Sequence, residues 1–251
     1  MLDQATVRVP ESTVASYRER GFVHIPNVLT PAEVERYRDA VIAYRAHSEA
    51  RERDSAMFAQ YVDVWQQDQT LAELTLHPGV AAVAQQLAGT PLRLWHDHLL
   101  IKDPHNGVRT EFHQDQPFWP HTGPWNALSA WIALVDVPVE RGCMSFIPGS
   151  HQQIGLAAQN LHDSRSLAEK WPESEWQERV TIPLRAGDCT FHNSWTAHTA
   201  NSNDTDEARI AHVTIYMAAE TAYDGKAHPV TTPMSNLTVG QPFPDDRFPR
   251  F

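Results

Sequence analysis

Cysteine is scarce in this sequence, with only Cys143 and Cys189 among 251 residues. Two cysteines in a chain of this length do not make a disulfide framework, so the sequence favours a reducing compartment. The opening residues 1–4 also lack the order of basic and then apolar residues that marks a signal peptide. We therefore expect a cytoplasmic protein in which both thiols behave as small buried apolar residues.

Long apolar runs and clusters of positive charge are also missing. No run approaches the roughly 18 apolar residues of a membrane span. The formal net charge is −11 and no Lys/Arg run occurs, which argues against nucleic acid or an anionic membrane as the main partner. Hydrophobic residues make up 41% of the chain, enough for a full core. We expect a small molecule as the partner, and the oligomeric state stays open.

Helix signals dominate the first 90 residues. Thr30-Pro31-Ala32-Glu33 is a strong helix start, because Thr30 can cap the helix and Glu33 can close a capping box. The helix that begins there is predicted to reach about Ala50, followed by a charged segment over 49–55. The other elements predicted in this flank are a helix over 11–20 ended by Gly21, a strand over 22–25 and a helix from Pro78 to before Gly89.

Short strand-like runs separated by Gly, Pro and Asn follow from Pro91 onward. They are Leu92–Lys102, Glu111–Phe118, Ala127–Val137, Met144–Ile147, Val180–Leu184, Asp188–Phe191 and Arg209–Met217. Many short strands with turn signals between them indicate a sandwich or barrel, of which a jelly roll is one form. The fold class is therefore mainly β with flanking helices.

A single domain is predicted over residues 1–251. It divides into a helical flank over 1–90, a β core over 91–220 and a C-terminal tail over 221–251. A polar, helix-prone insertion over 156–178 interrupts the core, and an insertion of that length often forms a lid or an active-site wall. The Pro-rich part of this tail, 229–251, is predicted to wrap the surface without regular structure.

The stretch Glu111-Phe112-His113-Gln114-Asp115 carries the strongest chemical signal. In an extended strand, side chains two residues apart point to the same face, so His113 and Asp115 would converge on one point. Two histidines and one carboxylate on one face form the open site that non-haem Fe(II) oxygenases use. Such a site needs a second histidine from elsewhere in the chain.

A second histidine region, 191–198, follows the Gly187-Asp188 turn and ends at His198. Eleven residues beyond His198, Arg209 opens a predicted strand. A guanidinium at the far end of a pocket can hold a carboxylate through two parallel hydrogen bonds, which Lys does less well. Arg209 is therefore a candidate anchor for an acidic cosubstrate.

Several further residues allow more than one interpretation. His96 and His98 lie two apart on a predicted strand and are rival ligands, and His192 is a rival to His198. Plain core packing is one interpretation of Trp131. Aromatic residues that directly follow the metal motif are predicted either to line the substrate site or to pack in the core: Phe118, Trp119 and Trp125.

Taken in order, these motifs resemble the phytanoyl-CoA dioxygenase family. The matching elements are His113-Gln114-Asp115, Trp131, Ile147-Pro148-Gly149-Ser150-His151, Gly187-Asp188, His198 and Arg209. The family consists of Fe(II)/2-oxoglutarate oxygenases on a double-stranded β-helix, the cupin-like jelly roll. The resemblance implies that Fe(II), 2-oxoglutarate and O2 are the cofactors of this chain.

The resemblance also assigns individual roles. It places the iron on His113, Asp115 and His198, and the far carboxylate of 2-oxoglutarate on Arg209. Two further residues are implied to contact the cosubstrate: Trp131 and Leu99. The same resemblance makes His113, Asp115 and His198 the catalytic residues.

Two positions depart from the family pattern. Some members have a Ser two residues after the distal histidine, where this chain has Ala200, and Asn201 or Ser129 is a candidate replacement. Many members have Asn where this chain has Arg141, just before Gly142. We expect Arg141 to place a charge near the pocket rim.

The implied reaction is hydroxylation of an unactivated C–H of a small metabolite or natural-product intermediate, with release of succinate and CO2. A second hypothesis is epimerisation, desaturation or ring formation with the same cofactors, and the carboxylate of Asp115 argues against halogenation. Two rival hypotheses are a cupin metalloenzyme that does not use 2-oxoglutarate and a non-catalytic jelly-roll binding module. No basic cluster suggests a CoA site.

Overall fold

A computed structural model gives the fold and describes residues 7–48, 57–123 and 126–251. The charged segment predicted over 49–55 and the candidate substrate-wall residue Trp125 lie outside the described residues. Among the described residues, no helix is long and apolar enough to cross a lipid bilayer.

Antiparallel strands form two main sheets. In chain order the strands are β1 (Phe22–Ile25), β2 (Ala59–Val62), β3 (Leu92–Lys102), β4 (Thr110–His113), β5 (His121–Thr122), β6 (Leu128–Ala133), β7 (Met144–Phe146), β8 (Val180–Ile182), β9 (Cys189–Asn193), β10 (His198–Ala200), β11 (Arg209–Ala218) and β12 (Ala222–Tyr223). One sheet has the order β1-β9-β6-β11-β3-β2 and the other β4-β10-β7-β8. This is the predicted double-stranded β-helix.

The described residues form five α-helices, of which the first four pack on the six-stranded sheet and the last lies beside the smaller sheet. They are α1 (Glu11–Arg20), α2 (Pro31–His47), α3 (Gln69–Thr75), α4 (Pro78–Ala88) and α5 (Ser166–Lys170). The predicted capping box is confirmed, because the Thr30 side chain accepts from the Glu33 N–H while the Glu33 carboxylate accepts from Thr30 N–H. Helix α2 ends at His47, slightly before the predicted boundary. Helix α3 and the short strands β2 and β10 were not predicted.

Each face of the six-stranded sheet has its own core, because successive side chains of a strand point to opposite faces. The outer face packs on the helices through residues such as Leu99, Ile132 and Phe191. The inner face packs towards the smaller sheet, with Trp131 and Val213 in the same cluster as residues of β7. The inner face is therefore where any pocket between the sheets must lie.

The C-terminal tail has no helix or strand over 229–251, as predicted. It does more than wrap the surface, because Phe243 and Phe248 are buried against Trp95 with ring centroids 5.3 and 5.4 Å away. The buried Arg93 forms an ion pair with Asp245 at 3.0 Å. The Pro-rich composition of the tail indicated an exposed segment, so the sequence prediction missed the burial of Phe243 and Phe248.

Candidate active site

Paired strands of the smaller sheet bring two histidines together. His113 ends β4 and His198 begins β10, and the two residues are direct partners in the antiparallel register. Asp115 follows β4 two residues later. One ligand atom from each of these three side chains lies within 4.8 Å of the others, close enough for a single metal ion. The structure therefore brings the three predicted ligands to one point.

The backbone at Asp115 is not the extended strand that was predicted. Strand β4 stops at His113, and Asp115 has helical dihedrals (φ −74°, ψ −42°) at the start of a short 3₁₀ turn. The prediction of a continuous strand over 111–118 is therefore wrong. The buried side chain of Gln114 explains the turn, because its amide donates to the carbonyls of Trp195 at 2.7 Å and Gln153 at 2.9 Å.

Backbone carbonyls orient both imidazoles. The Nδ1 of His113 lies 2.8 Å from the carbonyl of Glu111, and the Nδ1 of His198 lies 3.0 Å from that of Thr196. A carbonyl only accepts, so each Nδ1 carries the proton and each Nε2 keeps its lone pair. This arrangement is the usual support of a histidine that ligates a metal.

Burial sets the charges of the group. Desolvation, with a contribution from His113, lowers the pKa of His198 to about 3, so its imidazole is neutral at physiological pH. Burial alone would raise the pKa of Asp115, but the surrounding imidazoles, with His198 first, hold it well below its usual range. The neutral imidazole of His198 and the ionised carboxylate of Asp115 are two donors of the kind that Fe(II) requires.

The two oxygens of Asp115 face different partners. Oδ1 lies 3.6 Å from Nε2 of His113 and 3.8 Å from that of His198. Oδ2 lies 3.3 Å from the Ser129 hydroxyl and 3.5 Å from Nε2 of His192. His192, the predicted rival ligand, therefore lies beside Oδ2 of Asp115, whereas His113 and His198 face Oδ1.

Arg209 is buried in the wall of the same cavity. Its side chain is 1% exposed and lies over the ring of Trp131, with 5.3 Å from its central carbon to the ring centroid. Nη1 approaches the carbonyl of Gly142 at 3.5 Å, while Nε and Nη2 have no hydrogen-bond partner among the described residues. Burial lowers the pKa of Arg209 to about 10, so it remains cationic. A buried cation with two unsatisfied donors fits a carboxylate of 2-oxoglutarate.

Thr110 is a site residue that the sequence prediction missed. It lines the cavity, its hydroxyl has no partner among the described residues, and it pairs with Ala200 across the sheet. Between Thr110 and His113, two residues of β4 oppose the single residue Thr199 of β10, and this bulge turns the side chains of Thr110 and His113 to the cavity. A strict period of two would have placed them on opposite faces.

The two candidates for replacing the family Ser at Ala200 differ in position. Ser129 lines the cavity and contacts Asp115, whereas the Asn201 side chain lies near Arg109 at 3.4 Å, outside the lining of the cavity. Leu99 is also placed away from the predicted cosubstrate contact. Its side chain belongs to the core on the outer face of the sheet, and its neighbour Leu100 lines the cavity instead.

The remaining candidate wall residues lie partly in the cavity lining and partly outside it. Phe118 and Trp119 line the cavity, as do the rival histidines His96 and His98. Arg141 does not, because its guanidinium donates to the carbonyl of Ala208 at 2.8 Å and pairs with Glu207. From the insertion over 156–178, the described lining of the cavity includes Leu161, so the insertion contributes to the wall.

The comparisons with known proteins agree with this geometry. A model of the phytanoyl-CoA dioxygenase family matches residues 17–211. The chain belongs to this family. Membership confirms the class predicted from the sequence, the non-haem iron and 2-oxoglutarate-dependent oxygenases.

Two solved structures are similar over nearly the whole chain. One is the non-haem α-ketoglutarate-dependent carbocyclase SnoK from nogalamycin biosynthesis, with 38% identity and a TM-score of 0.86 over 96% of each chain. The other is the epimerase SnoN in complex with Fe3+, α-ketoglutarate and nogalamycin RO. It has 39% identity and a TM-score of 0.85, and the match covers 96% of this chain and 97% of SnoN.

A curated relative matches less of the chain. The L-proline trans-4-hydroxylase of Streptomyces griseoviridis is 28% identical over 162 residues, which cover 62% of this chain and 60% of the hydroxylase. The match therefore spans less than two thirds of that relative. Family and fold follow from these comparisons.

Proposed function

We propose that this protein uses Fe(II), 2-oxoglutarate and O2 to oxidise an unactivated C–H of a small metabolite or natural-product intermediate in the cytoplasm. The observation that carries the proposal is Arg209, a buried cation with two unsatisfied donors in the cavity that also holds the His113/Asp115/His198 group. A cupin enzyme without 2-oxoglutarate would not need this residue. The two free buried thiols support the compartment.

Each side chain of the site has a role that follows from its position. His113, Asp115 and His198 would hold the metal from one side, which leaves its other side open to ligands. Arg209 would bind the far carboxylate of 2-oxoglutarate, with the Thr110 hydroxyl as a further donor. When bound, Fe(II) with 2-oxoglutarate and O2 supplies an oxidant that removes hydrogen from carbon, with release of succinate and CO2. The apolar and aromatic walls would keep bulk water away from that reaction.

Hydroxylation is the first proposed outcome, and ring closure or epimerisation is the second. The second is supported by the carbocyclase and the epimerase, which match at 38% and 39% identity over nearly the full chain. All of these outcomes begin with loss of hydrogen from carbon, so they require the same metal and cosubstrate residues. Placement of the substrate above the metal would decide between them.

A turnover screen tests the proposal. Purified protein loaded with Fe(II) is supplied with 2-oxoglutarate, O2 and candidate substrates, and succinate is quantified together with the mass of the product. We expect succinate to form in a one-to-one ratio with product. Gain of one oxygen atom would indicate hydroxylation, and loss of two hydrogens would indicate ring closure or desaturation. Product formation without succinate would contradict the proposal and favour a different cupin enzyme.

A further inference from the structure

His96 and His98 form a polar patch on a largely apolar part of the cavity wall. Both belong to β3, both line the cavity, and their ring centroids lie 5.4 Å apart. Leu100, Phe118 and Trp119 supply apolar surface in the same cavity. The metal site and the cosubstrate site described above use neither histidine.

The register of β3 separates this pair from Arg209. Lys102 is the strand partner of Arg209, and His98 and His96 lie four and six residues further along β3. At about 3.3 Å per residue, the distance along β3 from Lys102 is roughly 13 Å to His98 and 20 Å to His96. Ile215 is the strand partner of both His96 and Ser129, so His96 lies at the same height in the sheet as Ser129, which contacts Asp115. The pair therefore faces the part of the cavity beyond the proposed cosubstrate.

Hydrogen bonds give the two imidazoles opposite polarity. The Gln60 amide nitrogen lies 3.1 Å from Nδ1 of His98, so it donates there and leaves the His98 proton on Nε2. His96 has the reverse tautomer, because its Nδ1 lies 3.2 Å from the carbonyl of Asp97 and must donate to it. Burial lowers the pKa of both histidines, and most strongly that of His98, so both are neutral at physiological pH.

The wall around the pair carries no further charge. Among the described residues that line the cavity, Asp115 and Arg209 are the charged side chains apart from histidine. Both are already assigned to the metal and to 2-oxoglutarate. An amino acid or an acyl-CoA thioester would therefore enter this part of the cavity without an ionic partner, which is costly for a buried charge.

We propose that His96 and His98 recognise a hydroxyl group of an uncharged, largely apolar substrate. The His98 Nε2–H donates to the hydroxyl oxygen, and the His96 Nε2 accepts the hydroxyl proton. A hydroxyl is a neutral group that satisfies both partners through a single atom, whereas a ketone satisfies His98 alone and an ammonium satisfies His96 alone. This inference rests on the proposed function, since it assumes that the region beyond 2-oxoglutarate receives the substrate.

A matched series of bicyclic probes tests the inference. Tetralol, tetralone, tetralin, aminotetralin and tetralin carboxylate share one ring system and differ in one group. Binding is measured by calorimetry, without O2, to protein loaded with Fe(II) and 2-oxoglutarate. We expect tetralol to bind about tenfold more tightly than tetralone or tetralin, the effect of one or two net hydrogen bonds. The charged probes are expected to bind most weakly.

Variants connect this preference to the two histidines. In His96→Phe and His98→Phe, tetralol is expected to lose its advantage, and His98→Gln, which keeps an N–H donor, is expected to recover part of it. His47→Ala, at an exposed histidine, is the control and should retain the full preference. The inference is overturned if wild-type protein prefers a charged probe, or if the preference for tetralol survives in both Phe variants.

The result separates this inference from the proposed function. If wild-type protein does not bind 2-oxoglutarate, the proposed function and the inference are both overturned. Normal 2-oxoglutarate binding with no preference for tetralol would overturn only the role of His96 and His98.

Discussion

At the scale of single residues, the order of motifs in the sequence predicted which side chains meet. The structure brings together His113, Asp115 and His198, and it places Arg209 in the same cavity. Leu99 was placed wrongly because the sequence indicates a strand here but does not say which of two adjacent leucines faces inward. The donor Thr110 was missed because a bulge changes the alternation of β4.

Arg209 allows a direct test at this scale. We expect Arg209→Ala to weaken 2-oxoglutarate binding by about 100-fold or more, because a buried carboxylate would lose two charge-assisted hydrogen bonds worth about 1.5–3 kcal/mol each. The measurement is a calorimetric titration with Fe(II) present and O2 excluded. Arg109→Ala is the matched control, because Arg109 is exposed and does not line the cavity. Equal affinities in wild-type protein and Arg209→Ala would contradict the assigned role.

At the scale of elements, the helix caps and the long strands were predicted closely because their signals are local. The capping box at Thr30 and the strand Leu92–Lys102 depend on residues adjacent in the chain. The end of β4 at His113 depends on distant partners, since the Gln114 amide donates to carbonyls 39 and 81 residues away. Local periodicity contains no information about such contacts.

The turn held by Gln114 leads to a prediction about metal affinity. We expect Gln114→Ala to weaken Fe(II) binding while the β-helix stays folded, because Asp115 loses the support that directs it towards His113 and His198. Metal titration in the presence of 2-oxoglutarate measures the effect, and circular dichroism checks the fold. Gln152→Ala, at an exposed glutamine, serves as the control. Unchanged Fe(II) affinity in Gln114→Ala would show that the turn does not depend on this amide.

The C-terminal tail is a second element that can be tested. Phe248 is fully buried against Trp95, so Phe248→Ala is expected to lower the free energy of unfolding by about 3–5 kcal/mol. Chemical denaturation gives this quantity. Phe251→Ala should cost less, because Phe251 is only partly buried. A loss below about 1 kcal/mol for Phe248→Ala, on the order of an exposed substitution, would mean that the tail is not part of the core.

At the scale of the whole molecule, buried histidines link stability to pH. Burial lowers the pKa of His96, His98, His121 and His198 in the folded protein. The unfolded chain takes up protons on the same residues near about pH 6.5, so it binds more protons than the folded state as the pH falls. The metal-free protein is therefore expected to lose stability from about pH 7 to about pH 5.

Denaturation midpoints across this pH range measure the effect. His121 lies beside Trp95 and Phe243, and neither of its ring nitrogens has a partner among the described residues. His121→Phe removes one titrating group, so the midpoint should fall less steeply with pH than in wild-type protein. A midpoint that rises as the solution is acidified would contradict the linkage.

The central claim is that three side chains bind one Fe(II) next to 2-oxoglutarate, and Asp115 tests it most directly. The measurement is the rate of 2-oxoglutarate consumption by purified Asp115→Ala, supplied with Fe(II) and O2 and compared with wild-type protein. We predict that consumption falls to the level without protein while circular dichroism shows an intact fold. Consumption at the wild-type rate by folded Asp115→Ala would contradict the account.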